Sequence, residues 1–268
     1  MRVVTWNLRT DTAAEPPHWP DRLPEVARVL TDLAPHVIGT QEGSARMLDD
    51  LAASLPDRYA WVGEGRRGGH DDEFTAVFYD TSRLELLTSR TTWLSEQPDV
   101  AGTLSWGSAF PRTATTLRLR DRADDAAYTV VDTHLDHVSA RARAEGARLI
   151  AASLPHGPAI VLGDFNAPAD PSDPEGPYAV LTAAGLGDAV ALHLRGGVSV
   201  GTFTDFADPV VGAERIDWVL VSRDLEVIAA RVVTDVAAGG VHPSDHLPVV
   251  ADVAPLRARR REKRRDQR

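Results

Sequence analysis

The sequence contains no cysteine and a single lysine, Lys263. Without cysteine, neither disulfide bonds nor thiolate metal sites are available. Without a lysine in the body of the chain, Schiff-base chemistry and a P-loop lysine are excluded there. These absences leave carboxylates, amides, histidines and arginines as the groups that can perform chemistry.

Long apolar segments are also missing. No run reaches the length needed to span a membrane, and residues 1–7 already alternate like a strand rather than forming a signal peptide. We therefore expect a soluble, cytoplasmic protein with no membrane span. The length of 268 residues and an apolar content of 43% permit a substantial core.

Basic charge is scarce outside one segment. The formal net charge is −10, but residues 257–268 carry +6, which leaves −16 for the rest of the chain. A body this acidic lacks the broad positive surface that binds a nucleic-acid backbone. We interpret residues 1–255 as one domain and residues 256–268 as a solvated basic tail, with contact to nucleic acid or membrane as the alternative for the tail.

One polar cluster directly follows a predicted buried strand. The apolar residues 159–162 predict the strand, Gly163 permits a turn, and Asp164 and Asn166 come next. Residues two apart in an extended chain point to the same side, so a carboxylate and an amide emerge together. The carboxylate can accept a proton from water and the amide can donate to an oxyanion. An ordinary turn uses the same residue types, so this interpretation depends on the other clusters.

Similar polar residues lie at the ends of other predicted strands. They are Asn7, Glu42, His134 with Asp136 and His137, Asp217, and Asp245 with His246. A buried charge is costly unless it is paired or bound to a metal. Taken singly, Glu42 could be a helix-entry carboxylate and His134 a structural histidine. Together, oxygen ligands without thiolates suit a hard cation, Mg²⁺ or Mn²⁺.

This combination of groups favours hydrolysis of a phosphate ester. A divalent cation, an aspartate base and several donors are the components that the reaction needs. The sequence has no serine or cysteine in an elbow motif and no glycine-rich phosphate loop. We therefore predict direct attack by water. Strands and helices in two similar halves, divided near residue 125, indicate two packed sheets with helices outside.

Six segments, in this order, resemble the motifs of the endonuclease/exonuclease/phosphatase superfamily, which includes deoxyribonuclease I. They are Thr5-Trp6-Asn7, Gln41-Glu42, Thr133-His134-Leu135-Asp136, Gly163-Asp164-Phe165-Asn166, Arg215-Ile216-Asp217-Trp218 and Ser244-Asp245-His246. The resemblance spans nearly the whole chain. It implies an α/β fold, a four-layer α/β/β/α sandwich of two mostly antiparallel sheets flanked by helices, with the site at one edge of both sheets.

The resemblance also implies a metal site. Glu42 resembles the main ligand of the family's divalent cation, with Asn7 and Asp245 in the metal shell. We expect Mg²⁺ as the cofactor, with Mn²⁺ as the alternative.

Catalytic roles carry over in the same way. Asp164 resembles the residue that aligns and deprotonates water, and Asn166 resembles the donor to the scissile phosphate. His246 resembles the histidine that stabilises the transition state, with Asp217 as its orienting partner. His134 resembles a second phosphate-binding histidine. Some members are described with the histidine, here His246, as the base, so that choice stays open.

Within the superfamily, the chain resembles a bacterial group of undefined substrate. The shared features are Gly39-Thr40-Gln41-Glu42, Glu73 before Phe78-Tyr79, Trp93-Leu94-Ser95-Glu96, Arg112 and residues 134–137. We expect Glu73, Arg112, Asp136 and His137 to line the substrate pocket, a structural ion pair being the alternative for each. Arg112 suits a second phosphate or a carboxylate, which it can bind through two parallel hydrogen bonds.

The predicted function is therefore metal-dependent hydrolysis of a small phosphorylated molecule or phosphodiester by a monomer. One alternative is a nuclease in which Arg66, Arg67 and the basic tail hold the strand. Another is a binding module without catalytic activity, which the complete set of polar positions disfavours.

Overall fold

The computed structural model describes residues 1–12, 14–237 and 242–256. In chain order the strands are β1 (Arg2–Asn7), β2 (Val37–Ser44), β3 (Tyr59–Val62), β4 (Glu73–Asp80), β5 (Leu84–Trp93), β6 (Thr113–Asp121), β7 (Ala126–His134), β8 (Ala159–Asp164), β9 (Leu186–Asp188), β10 (Asp217–Ser222), β11 (Leu225–Val232) and β12 (Val249–Pro255). The helices are α1 (Trp19–Leu33), α2 (Ala45–Ser54), α3 (Ala140–Ser153), α4 (Pro177–Ala183) and α5 (Ala189–Leu194). From residue 257 onward, the predicted basic tail lies outside the described residues.

The strands form two six-stranded sheets. The first has the order β11-β12-β1-β2-β4-β3, and the second has the order β5-β6-β7-β8-β10-β9. In each sheet one central pair is parallel, β1 with β2 and β7 with β8, and the other pairs are antiparallel. The prediction of two mostly antiparallel sheets is confirmed. Helices α1 and α3 make the crossovers that parallel neighbours require.

The predicted division of the chain near residue 125 is wrong. That residue lies in the turn of the hairpin β6–β7, whose last register pair is Asp121 with Ala126, so it is internal to the second sheet. Residues 84–222 supply the whole second sheet, and the first sheet combines β1–β4 with β11 and β12. The sequence pattern indicates where the strands lie along the chain. It does not indicate that the last two strands, β11 and β12, join the first sheet beside β1.

Two apolar clusters account for the layers. One fills the space between the sheets and extends to α1 and α2, with Trp6, Leu30 and Phe78 fully buried. The other packs the outer face of the second sheet against α3 and α4, around Ile150 and Trp218. Burial of these side chains supplies the main driving force for the arrangement of helix, sheet, sheet and helix.

Two glycines allow strands to come unusually close near the ends that carry the polar residues. A Cβ atom on Gly39 would lie 1.9 Å from Leu162 Cδ1 of the opposite sheet. Gly163 has φ 149°, and a Cβ atom there would lie 2.0 Å from the carbonyl oxygen of Thr133 on β7. A larger residue at either position would separate the strands that carry the polar ends.

Strand β9 and helix α5 were not predicted. Both are short, three and six residues, so neither shows a periodic apolar pattern. Asp188 ends β9 and caps α5 by accepting hydrogen bonds from the amides of Val190 and Ala191. Among the described residues, none of the helices is both long and apolar enough to cross a membrane.

Candidate active site

The carboxylate of Asp164 lies where several nitrogen atoms converge. Its Oδ2 atom is 3.0 Å from Asn7 Nδ2, 3.5 Å from His134 Nε2 and 3.8 Å from His246 Nε2. Its Oδ1 atom accepts a hydrogen bond from the backbone amide of Asn166 at 2.9 Å. His134 and Asp164 are register partners at the ends of the parallel strands β7 and β8, which explains their proximity.

Asp217 and His246 form a buried pair. Asp217 begins β10 in the second sheet, and its Oδ2 atom lies 2.9 Å from Nδ1 of His246, which precedes β12 of the first sheet. The hydroxyl of Thr202 accepts hydrogen bonds from the amides of Ile216 and Asp217 at 2.9 and 3.1 Å. The carbonyl of Thr202 accepts from the amide of Leu247 at 2.7 Å. Thr202 thus links the segments that carry both members of the pair, although nothing in the sequence indicated this.

Glu42 projects from an irregular point in β2. The pairing of β2 with β4 shifts register between Thr40 and Gly43, and Glu42 has φ 64°. Its carboxylate accepts hydrogen bonds from Asn7 Nδ2 and from the amide of Thr10, both at 2.9 Å. Burial raises the pKa of Glu42, but these hydrogen bonds outweigh it, so the pKa is lowered and the carboxylate is ionised.

Asp245 lies close to the same carboxylates. Arg9 Nε is 3.6 Å from its Oδ2 atom, and the hydroxyl of Ser244 is 3.3 Å from its Oδ1 atom. Burial raises the pKa of Asp245, and the charge of Glu42 acts in the same direction. Arg9 therefore neutralises part of a concentrated negative charge.

The donor set fits a hard divalent cation. Glu42, His134 and Asp164 each offer one ligand atom, and these atoms lie within 4.8 Å of one another. A similar group of Asp164, Asp217 and His246 is also present, but in it the ring of His246 is already hydrogen-bonded to Asp217. The oxygen-rich group around Glu42 matches the ligands that Mg²⁺ and Mn²⁺ prefer.

The two histidines of the site have opposite charge states. Burial lowers the pKa of His246, but the charges of Asp217 and Asp164 outweigh burial and raise it, so the ring is an imidazolium. For His134, burial and the charge of Arg112 both act to lower the pKa well below its usual value. Burial and the charge of Asp217 raise the pKa of Asp164. The site thus holds one charged donor, one neutral imidazole and one carboxylate with increased proton affinity.

Arg112 lies beside this centre and is 6% exposed. Its Nη2 atom is 3.1 Å from His137 Nδ1, and its Nε atom is 3.7 Å from Asp136 Oδ1. Within the described residues, Nε has no hydrogen-bond partner. A buried guanidinium with an unused donor favours an additional acceptor, such as an oxygen of a ligand.

Asp136, which was predicted to line the pocket, is surrounded by donors. Its two oxygens accept hydrogen bonds from the hydroxyl of Ser108 and the amides of Ala109, Val138 and Ser139, at 2.7–3.1 Å. These bonds join the loop before β6 to the beginning of α3. The sequence does not indicate the contacts with Ser108 and Ala109, because these residues lie 28 and 27 positions before Asp136 along the chain.

Glu73 and Arg66 form an ion pair next to Arg112. Arg66 Nη1 is 2.8 Å from Glu73 Oε2, and Arg66 is only 9% exposed, so its guanidinium is not the free surface charge that the nuclease alternative assigned to the strand. Burial and the charge of Glu42 raise the pKa of Glu73 to about 7. Together with Arg112 and His134, the pair lines a small cavity of about 10 Å³.

Two exposed phenylalanines border the site, and the sequence contains no pattern that indicates either of them. Phe110 is 38% exposed and stacks on His137 with 5.7 Å between the ring centroids. The guanidinium carbon of Arg66 lies 4.5 Å from the ring centroid of Phe110. Phe203 is 51% exposed and packs edge-on against His246 at 5.2 Å. Neither residue belongs to a periodic pattern, so only the folded structure reveals them.

The fold has counterparts among solved structures. An endonuclease/exonuclease/phosphatase from Bacteroides vulgatus superposes with a TM-score of 0.85 at 30% identity, covering 95% of this chain and 98% of the other. A mannosyl-6-phosphatase from Bacteroides thetaiotaomicron superposes with a TM-score of 0.83 at 27% identity, covering 95% and 99%. TDP2 from D. rerio, complexed with single-strand DNA product, has a TM-score of 0.74 at 15% identity, with coverage of 95% and 98%, and thus shows the same fold.

Sequence similarity identifies the family of the chain. No curated protein matches the chain. A sequence profile described as the Endonuclease/Exonuclease/phosphatase family, however, matches residues 4–246. This range includes Asn7, Glu42, Asp164 and His246, the side chains that meet across the two sheets. The chain belongs to the endonuclease/exonuclease/phosphatase family.

Proposed function

We propose that this protein is a divalent-metal-dependent hydrolase that cleaves phosphate esters of small molecules by direct attack of water. The convergence of Asn7, His134 and His246 on Asp164 is the observation that carries the proposal. It puts one potential base beside several donors, as a reaction with a developing oxyanion requires. Family membership supports the hydrolase class.

Glu42, Asn7 and Asp245 would hold Mg²⁺ or Mn²⁺. When bound, such a cation neutralises charge on the phosphoryl and leaving-group oxygens. The lowered pKa of Glu42 supports a role as an ionised ligand. Asn7 donates to both Glu42 and Asp164, so it also keeps the two carboxylates at a fixed separation.

Asp164 is our candidate for the base. Water attacks phosphorus while its proton passes to the Asp164 carboxylate, the bond from phosphorus to the alcohol oxygen breaks, and that oxygen takes a proton from solvent. A raised pKa makes Asp164 a better proton acceptor than an ordinary aspartate. The raised pKa of His246 argues against the alternative assignment, because an imidazolium has no free lone pair to accept the proton.

The other catalytic residues would act as donors or orient them. His246 would donate through Nε2 to a phosphoryl oxygen while Asp217 holds Nδ1. Asn166 would use the amide hydrogen that is not donated to the carbonyl of Leu135. His134 would bind a further phosphoryl oxygen.

For the substrate pocket, we propose different tasks for the four candidates. Arg112 would bind a phosphate oxygen, since its Nε atom makes no hydrogen bond within the described residues. His137 and Phe110 would support Arg112 from one side. Glu73 would contact the substrate. Because its pKa is raised to about 7, both its ionised and its neutral form would be present at pH 7. Asp136, with both oxygens occupied, would act by positioning the loop.

A small substrate is favoured over a nucleic acid. Residues 1–256 carry a negative net charge of −16, which disfavours a polyanion. Arg66, which the nuclease alternative assigned to the strand, is buried and paired with Glu73. The similar mannosyl-6-phosphatase is a precedent for a small phosphorylated substrate. The basic residues 257–268 keep the nuclease alternative open.

A substrate screen tests the proposal. Purified protein would be assayed on phosphomonoesters, phosphodiesters, lipids and nucleic acids with Mg²⁺, beside protein treated with EDTA and the Asp164→Asn variant. We expect release of inorganic phosphate from small monoesters, loss with EDTA, and recovery with Mg²⁺ or Mn²⁺. Full activity without metal would refute the mechanism. Faster cleavage of DNA, with affinity that falls steeply with salt, would favour the nuclease.

A further inference from the structure

Another cavity, of about 390 Å³, lies beside the site. It is formed by the loop after β1 and the turn at residues 205–206, and its lining includes Arg9, Thr10, Glu15, Pro17, Asp205 and Phe206. Its volume falls within the ~300–1,000 Å³ typical of sites for small organic ligands.

The cavity adjoins the carboxylates that we assign to the metal. The amide of Thr10 donates to Glu42 Oε2 at 2.9 Å, and Arg9 Nε is 3.6 Å from Asp245 Oδ2. The two cavity residues thus contact the reaction centre directly. If the phosphate of a substrate is held at that centre, the alcohol esterified to it can extend into this cavity.

The turn that closes the cavity is held rigidly. Asp205 and Phe206 have φ values of 51° and 62°, which residues other than glycine rarely adopt. The preceding residue, Thr204, donates from its amide and its hydroxyl to the carbonyl of Asp245 at 2.7 and 3.0 Å. A strained conformation kept in place by such anchors is typical of functional sites.

The lining chemistry matches a neutral, polyhydroxylated molecule. Arg9 pairs with Glu15, whereas Asp205 lines the cavity with an exposed carboxylate that can accept hydrogen bonds from two hydroxyl groups. Pro17 and Phe206 supply apolar surface of the kind that packs against the CH groups of a sugar ring. The excess of carboxylates disfavours a second phosphate.

We infer that this cavity binds the alcohol portion of the substrate and that this alcohol is a polyol, so that the substrate is a phosphorylated sugar or sugar alcohol. The inference deepens the proposed hydrolase function and rests on it. Asp205 is then the specificity residue, because it accepts hydrogen bonds from hydroxyl groups remote from the phosphate.

The test compares two variants on two substrates. Asp205→Asn keeps a residue that tolerates positive φ, and Asp208→Asn is the matched control, since Asp208 is exposed on the same loop and does not line the cavity. We expect Asp205→Asn to lower kcat/KM for glucose 6-phosphate about tenfold and to leave ethyl phosphate, which has no hydroxyl groups, unchanged. Asp208→Asn should change neither value.

Equal effects of Asp205→Asn on both substrates, or no effect on either, would overturn the inference. Preferential turnover of phosphocholine that depends on Asp205 would also overturn it, by identifying a cationic alcohol.

If the wild type hydrolyses no phosphate ester, the proposed function fails, and saturation-transfer NMR then tests whether the cavity binds a sugar. Ring protons of glucose 6-phosphate should receive saturation from the Mg²⁺-containing protein and lose it with Asp205→Asn. Absence of transfer to the wild type would refute the site.

Discussion

His246 and Asp217 belong to opposite sheets, and their side chains meet with 2.9 Å between Nδ1 and Oδ2. Asp217 opens β10 of the second sheet, whereas His246 lies shortly before β12 of the first. The charge of the imidazolium therefore depends on the packing of one sheet against the other. Any movement between the sheets would change the proton affinity of the ring.

The first prediction concerns this pair. In Asp217→Asn the carboxylate charge that raises the pKa of His246 is removed, so burial dominates and the pKa falls. Since we propose the protonated ring as the donor, the alkaline limb of the kcat profile should move to lower pH. Measurement of kcat between pH 5 and 10 checks this, with circular dichroism as the control for folding. An unmoved alkaline limb would remove His246 from the role of donor.

The second prediction concerns the base. Asp164→Asn leaves the side-chain shape nearly unchanged but removes the proposed proton acceptor, so kcat should fall by about 10³ while KM changes little. Steady-state kinetics on the best phosphate ester provides the measurement, and Asp170→Asn, an exposed aspartate in the following loop, is the control. Retention of more than a tenth of wild-type kcat would require another base.

The third prediction concerns Arg112. Its guanidinium lies at the margin of the reaction centre, beside His137 and Asp136. Arg112→Ala should raise KM more than it lowers kcat, because a binding contact is lost while the catalytic groups remain. Arg112→Lys keeps the charge but not the planar fork and should recover part of the loss. Unchanged kinetics in Arg112→Ala would exclude this residue from the pocket.

The fourth prediction concerns a buried carboxyl group between the sheets. Gln41 Nε2 donates to Asp132 Oδ1 at 2.6 Å, and within the described residues Gln41 Oε1 and Asp132 Oδ2 have no partner. Burial raises the pKa of Asp132 well above its usual value. The folded protein therefore binds a proton that the unfolded chain releases above about pH 4. Consequently, the free energy of unfolding falls as pH rises towards the folded-state pKa.

Asp132→Asn removes this penalty and keeps the shape of the side chain. The variant should have a higher Tm than the wild type at pH 8, with a smaller difference at pH 5. Thermal unfolding at both pH values provides the measurement. An equal shift at the two values would show that the carboxyl group does not titrate differently in the folded and unfolded states.

The sequence predicted the two sheets. It also singled out as candidate site residues most of the side chains that the structure brings close together around Asp164. It succeeded because Asn7 and Asp164 each end an apolar strand and Glu42 follows the apolar residues of β2, and polar positions of this kind meet at one edge of a sandwich. It did not reveal the burial of Arg66 or the contact of Phe203 with His246. Both depend on the path of a loop, which has no periodic pattern that would locate it before folding.

The strands of the first sheet come from both ends of the chain, and this also affects how the chain folds during synthesis. Strand β1 pairs with β12 through the register of Arg2 with Asp252, yet residues 84–222, which form the entire second sheet, are translated between them. Until β12 leaves the ribosome, one edge of β1 exposes unpaired backbone groups that invite association with other nascent chains. The same delay keeps His246 away from Asp164, so a chain halted in translation carries an open strand edge and an incomplete candidate site.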